Sequence, residues 1–149
     1  MNANTQNLIA GAIGAIVLNA IHGLGKTLLK DAPKIDEIGN EGVSKAIDSV
    51  GLPAPTEQAI DNTTTTFNLV TNTLSYRMIG AYNSKNILLL GALHGLTVGL
   101  GTLSLSKTLD LDDTPVTKTF LTECLTVTWY VLGGLSTATA LKMIRKHTN

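Results

Sequence analysis

Read as alternating apolar and polar stretches, the chain divides into three long charge-free windows and two charged connections. No Asp, Glu, Lys or Arg occurs from Met1 through Gly25, between Lys85 and Lys107, or between Glu123 and Lys142. Each window approaches or exceeds the ~20 residues a helix needs to cross a bilayer. They predict helices at about 6–29, 85–106 and 115–145. Asp113 or Thr114 is expected to cap the last, with Pro115 in its first turn. It ends in Lys142, Arg145, Lys146 and His147, which suit both a helix C-terminus and a cytoplasmic membrane face. The apolar run after MNANTQN lacks a basic leader and a clear cleavage site, so a retained helix is expected rather than a secretory signal.

The charged connections, 30–55 and 107–114, read as water-exposed. Within the first, NEGVSKAIDSVGLP predicts a short amphipathic surface helix. Asn40 serves as its cap, Val43, Ala46, Ile47 and Val50 share a face, and Gly51 and Pro53 end it. Residues 56–82 are harder to place. Ile60, Phe67, Val70, Leu74 and Met78 recur near a helical period, while Thr64, Thr65, Asn68, Thr71, Asn72 and Ser75 occupy the other side. The charge-free part, Asn62 to Tyr76, is only about 15 residues, or ~22 Å of helix. It fits a crossing of a thin or deformed bilayer, with Arg77 snorkelling, or a surface position. Counting basic residues favours three crossings. The two-residue link at Asn83 and Ser84, which breaks and re-caps the chain, favours a packed antiparallel neighbour and therefore four. The expected fold is an all-α integral membrane bundle of four long helices, at least three of them spanning, plus the surface helix.

Composition narrows the function classes. Charged residues make up 15% of the 149, against roughly 25% in soluble globular proteins. Formal net charge is zero, and basic residues do not interleave with aromatics, so nucleic-acid binding has no support. Cys124 stands alone, which excludes an internal disulfide and a Cys-based zinc site; its apolar surroundings predict a buried, inert thiol. AIHGLGKT at 20–27 fits a loose phosphate-loop pattern through Ala20, Gly25, Lys26 and Thr27. That motif requires a strand feeding a glycine-rich loop at a helix start, whereas here it closes an apolar helix, where the dipole repels phosphate. No nucleotide partner and no cofactor are expected.

Packing and intramembrane polarity supply the remaining candidates. Gly91, Gly95 and Gly99 form a GxxxGxxxG ridge, with weaker small-residue pairs at Gly11/Ala15 and Gly134/Ala138. Such ridges let helix backbones approach closely where lipid removes the hydrophobic drive, either within the chain or between subunits. Asn19, His22, His94 and Glu123 are the intramembrane polar candidates. With four crossings His22 and Glu123 approach the same membrane face. Satisfied structural hydrogen bonds, interfacial anchoring of Glu123, and a proton or ion role are the competing readings. Two histidines and one carboxylate without close spacing make only a weak metal signal, and no metal is assigned. DLDD at 110–113 lacks the glycine and terminal Glu of a calcium loop. Trp129 and Tyr130, deep in the last span, read as core. Asn62-Thr63-Thr64 fits a glycosylation acceptor.

No nucleophile stands beside a base, so no enzymatic activity is expected. The chain reads as a small multi-pass membrane protein, with the lipid bilayer as its solvent. It acts by helix packing through the Gly91/Gly95/Gly99 ridge, as a homo-oligomer or as a subunit of a membrane complex. The alternative is a small transporter or channel whose polar path uses His22, His94 and Glu123. The glycine-rich spans and the DAPKIDEIGNEG loop resemble those of small bacterial membrane proteins, which implies a bacterial inner (cytoplasmic) membrane.

Overall fold

A computed structural model describes residues 1–82 and 85–148, and over these the chain is helical without strands. The elements are α1 (Ala3–Leu28), α2 (Ile35–Ser49), α3 (Glu57–Tyr76), a 3-10 turn (Arg77–Ala81), α4 (Ile87–Thr108), a one-turn α5 (Thr114–Thr117) and α6 (Phe120–Thr148). The break expected at Asn83 and Ser84 lies outside the described residues.

Local chemistry sets the boundaries. Asn2 caps α1, its Oδ1 accepting the Thr5 N–H at 2.9 Å, and Thr56 caps α3 in the same way through the Ala59 N–H at 3.3 Å. Two expected boundaries move. The last helix does not run unbroken from 115: α5 stops at Thr117, and α6 begins afresh where the Thr119 hydroxyl accepts the Thr122 N–H at 3.1 Å. The surface helix starts five residues before Asn40, leaving that residue mid-helix, with its Nδ2 donating to Asp61 Oδ1 at 2.6 Å. Its inner face is Ile35, Ile38 and Gly39, whereas Ala46 and Val50 are exposed. Gly51 ends it at φ 71°, a left-handed conformation that glycine adopts without strain.

Residue pairing gives the helix directions. Arg145 of α6 bonds Asn7 at the start of α1, Gly14 abuts Gly133, and Gly25 abuts Trp129, so α1 and α6 are antiparallel. Gly91 meets Gly134 while Gly99 meets Val127, so α4 is also antiparallel to α6. Therefore α1 and α4 run in the same direction, and the chain must travel back between them. It does so through α3, whose end packs on the start of α1: Gly11 lies against Thr73 and Arg77, and Gly80 against Asn7. α6 holds the centre, with α1 on one side and α4 on the other. α3 packs on α1 and barely touches α4, which leaves that side of the four-helix array open.

Three helices, α1, α4 and α6, are long and apolar enough to cross a membrane. Their outer faces present side chains such as Ile16, Leu93, Leu100 and Leu132, so the molecule is a helical membrane bundle. Cys124 corrects the sequence expectation: it is exposed, not buried. An apolar neighbourhood in a spanning helix signals lipid as readily as protein interior, and Cys124 lies on the outward side of α6.

The helix directions also sort the charges. All eleven acids lie at the end formed by α2, α5 and the adjoining helix ends, together with six of the eleven basic residues, Lys26, Lys30, Lys34, Lys45, Lys107 and Lys118. The other five, Arg77, Lys85, Lys142, Arg145 and Lys146, occupy the opposite end with no acid among them. At the acidic end side-chain bonds fasten α2 down. Lys26 pairs with Asp36, Lys45 pairs with Glu41 at 2.9 Å and donates to the Asp110 carbonyl, and Glu41 Oε2 accepts the Asp112 N–H at 2.8 Å. At the basic end Arg145 donates to Gly80 O at 2.8 Å and to Asn7 Oδ1 at 3.2 Å. This clamp ties three chain segments together.

Candidate functional site

The open side between α3 and α4 forms a cleft of about 350 Å³, backed by Tyr130 of α6 and roofed by Ile35, Ile38 and Gly39 of α2. Its polar lining carries no formal charge: Asn68, Thr71, Asn72 and Ser75 come from α3, and Thr102 and Ser106 from α4. The hydroxyls are satisfied locally. Thr71 donates to Phe67 O at 2.8 Å, Thr102 to Val98 O at 3.0 Å and Ser106 to Thr102 O at 3.2 Å, the usual way such side chains are accommodated in membrane helices. The two carboxamides differ. Among the described residues, neither the Asn68 nor the Asn72 side chain has a hydrogen-bond partner, although both are half-buried. Each offers two donors and an acceptor, and both amides remain open to the cleft, where a neighbouring helix can meet them.

Ser75 reaches the half-buried His94, with Oγ to Nε2 at 2.9 Å. The His94 ring lies 6.0 Å from that of Tyr76. Tyr76, fully buried, donates its hydroxyl to Tyr130 O at 2.9 Å. Gly133 makes room for this ring, since a Cβ there would lie 2.8 Å from Tyr76 Cζ. His22 lies on the other side of Tyr130, between α1 and α6. Its ring is 4.9 Å from Trp129 and 6.0 Å from Tyr130, and its shielded Nε2 has no partner among the described residues. Trp129 and Tyr130 are both buried, as core residues.

The four polar candidates from the sequence are therefore not brought together. Asn19 bonds within its own helix, Nδ2 to Ala15 O at 2.9 Å. Glu123 sits half-exposed in the first turn of α6, and among the described residues its side chain makes neither an ion pair nor a hydrogen bond. His22 and His94 flank the Tyr76–Tyr130 pair from different sides. No three His, Cys, Asp or Glu side chains converge among the described residues.

The glycine ridge has a definite place. A Cβ on Gly91 would lie 2.5 Å from Gly134 O, on Gly95 2.6 Å from Val131 Cα, and on Gly99 2.9 Å from Val127 Cα. Gly134 in turn faces Gly91 and the Gly95 N–H. The ridge is occupied inside the chain, as the contact of α4 with α6, and is not open to a second subunit. In AIHGLGKT, Gly25 makes room for the Trp129 ring, and Lys26 pairs with Asp36 where α1 ends.

No family model, curated protein or solved structure matches this chain.

Sequence reading noted the threonines and asparagines of 64–75 but not their role, because α4, the other wall, lies opposite them only through the fold. The Asn7–Gly80–Arg145 clamp was equally hidden: its partners are separated by 65 and 138 positions.

Proposed function

We propose that the chain is a non-catalytic membrane subunit that self-associates through the open α3–α4 side. α3 crosses the bilayer as the return limb of a four-span bundle. The observation that supports this most directly is the unpaired state of Asn68 and Asn72. In a membrane, polar side chains without partners are met by neighbouring helices. A carboxamide both donates and accepts, so the same face on a second copy, related by a two-fold axis, is complementary to it. α3 adds exposed Asn62, Thr63 and Thr66 along its outer surface. These groups face another protein helix at less cost than they face lipid. A bacterial cytoplasmic membrane rests on the resemblance of the spans and loop alone. The transporter alternative needs His22, His94 and Glu123 on one path, and the positions of Tyr76, Tyr130 and Glu123 give it no support.

The test is cross-linking in bilayers with native mass spectrometry of the full chain. The wild type should form dimers, and Asn68→Leu with Asn72→Leu should weaken them about tenfold or more, at ~0.6–2 kcal/mol per interhelical polar side chain. Helix content should remain intact. A wild type that is monomeric at micromolar density in bilayers, or a double variant that dimerises undiminished, would overturn the reading.

A further inference from the structure

At the basic end Arg145 is held by Asn7 and Gly80, but Lys85 and Lys142 face no acid, since all eleven acids lie at the other end. Neither lysine takes part in the ion pairs of the described residues. Both line one cavity of about 390 Å³, together with Asn86, Ile87, Leu88 and Leu89 at the start of α4. The order of side chains along α4 matters. Lys85 stands where the helix enters the bilayer, and the next turn presents Leu88 and Leu89, which are 40% and 58% exposed. Two cations thus line one cavity beside an apolar step, Lys85 ahead of α4 and Lys142 on α6. The α4 dipole adds to the positive potential there. A free inorganic anion would use the cations and leave the step unused. A lipid whose headgroup is a phosphodiester without a compensating amine would use both.

We propose that this cavity is a binding site for an anionic phospholipid, its phosphodiester between Lys85 and Lys142 and its acyl chains along Leu88 and Leu89. Basic pockets between membrane helices are suited to such headgroups. The site would give the basic end the counter-charge its own sequence lacks. It lies apart from the α3–α4 cleft and does not depend on self-association.

The experiment is native mass spectrometry of the detergent-purified full chain titrated with dioleoylphosphatidylglycerol, dioleoylphosphatidylcholine or inorganic phosphate. The wild type should retain phosphatidylglycerol in preference to phosphatidylcholine. Each of Lys85→Gln and Lys142→Gln should reduce that preference about fivefold, and the pair about thirtyfold, from ~1 kcal/mol per basic residue near a membrane surface. Lys146→Gln, which removes a charge at the same end but outside the cavity, should leave it unchanged. The proposal fails if phosphatidylcholine is held equally well, if Lys146→Gln acts as strongly as the cavity variants, or if millimolar phosphate displaces the lipid completely. Thermal unfolding of each lipid-free variant separates loss of the site from loss of the fold.

Discussion

α3 and α4 form the two walls of one cleft and run the same height of the bundle, yet they are held in place by different means. α4 is attached to α6 backbone to backbone, through Gly91, Gly95 and Gly99, and shows leucines to its surroundings. α3 is attached chiefly through side chains and loops, with one glycine-permitted backbone contact at its end, Gly11 against Thr73 and Arg77. Tyr76 reaches Tyr130, Asp61 is held by Asn40, and its end abuts Gly11. The difference follows from the solvent. An apolar helix gains nothing by leaving lipid for protein, so only close packing fixes it, and glycine permits that packing. A helix rich in Thr and Asn is drawn to protein by its polar groups. α4 is the wall that shape fixes, α3 the wall that polarity fixes.

Filling the ridge tests the difference between the two walls most severely. Gly95→Leu places a side chain into the Tyr130–Val131 backbone, which cannot give way as a flexible side chain can. Its cost should be at the top of the ~1–3 kcal/mol range for overpacking or beyond it, with α4 displaced from α6. Gly101→Leu is the control, because nothing lies within 4 Å of a Cβ there. It should be neutral or slightly stabilising, since glycine is a poor helix residue. Unfolding of both variants in mixed detergent micelles measures the difference. Equal stability of the two would mean that α4 is not fixed by shape.

On the other wall a single hydroxyl should matter less. Tyr76→Phe removes the bond to Tyr130 O but keeps the ring in the space left by Gly133. The expected loss is ~1 kcal/mol in the same unfolding assay. A Tyr76→Phe protein as stable as the wild type would show that α3, too, depends chiefly on packing at this point.

What could be read from the sequence follows the same division. The three spans stood out because hydrocarbon excludes charge, and that rule acts on each window without reference to the others. The small residues at Gly91, Gly95 and Gly99 signalled close packing, but their partner was not encoded locally. The return path of α3 was legible in part: the short link at Asn83 and Ser84 favoured a fourth long helix, but Thr and Asn lower its hydropathy, and the packed neighbour that the link implied is α1 rather than α4. Cys124 misled for a related reason: one apolar string serves equally for a lipid-facing and a protein-facing surface. The site was half legible. Asn68 and Asn72 were visible as polar residues on one side of a helix, but their lack of partners depends on where α4 stands. Arg145 looked like an ordinary basic residue at a helix end, and its clamp depends on contacts the chain makes only when folded.

The smallest expected effect concerns the roof of the cleft, and it separates the walls once more. The Lys45 ammonium, and after it the Asp112 N–H, hold the Glu41 carboxyl below the usual carboxylate range. A depressed folded-state pKa contributes stability above the ordinary carboxylate value, and that contribution is lost as pH falls through the depressed one. Acidification should therefore loosen α2 from the 110–112 loop while leaving the glycine contact of α4 with α6 untouched, because Gly91, Gly95, Gly99 and the α6 residues they meet, Val127, Tyr130, Val131 and Gly134, carry no group that ionises in the acid range. The measurement is spin-label mobility at Ser49→Cys on α2 and at Leu96→Cys on α4, both in a Cys124→Ser background. Mobility at 49 should rise as pH is lowered from 7 through the carboxylate range, with 96 unchanged. Glu41→Gln should make 49 mobile at every pH, because the ion pair with Lys45 is then absent throughout. If 49 stays immobile in acid, the roof is held by Ile35 and Ile38 rather than by charge, and α2 belongs with α4 among the elements fixed by packing.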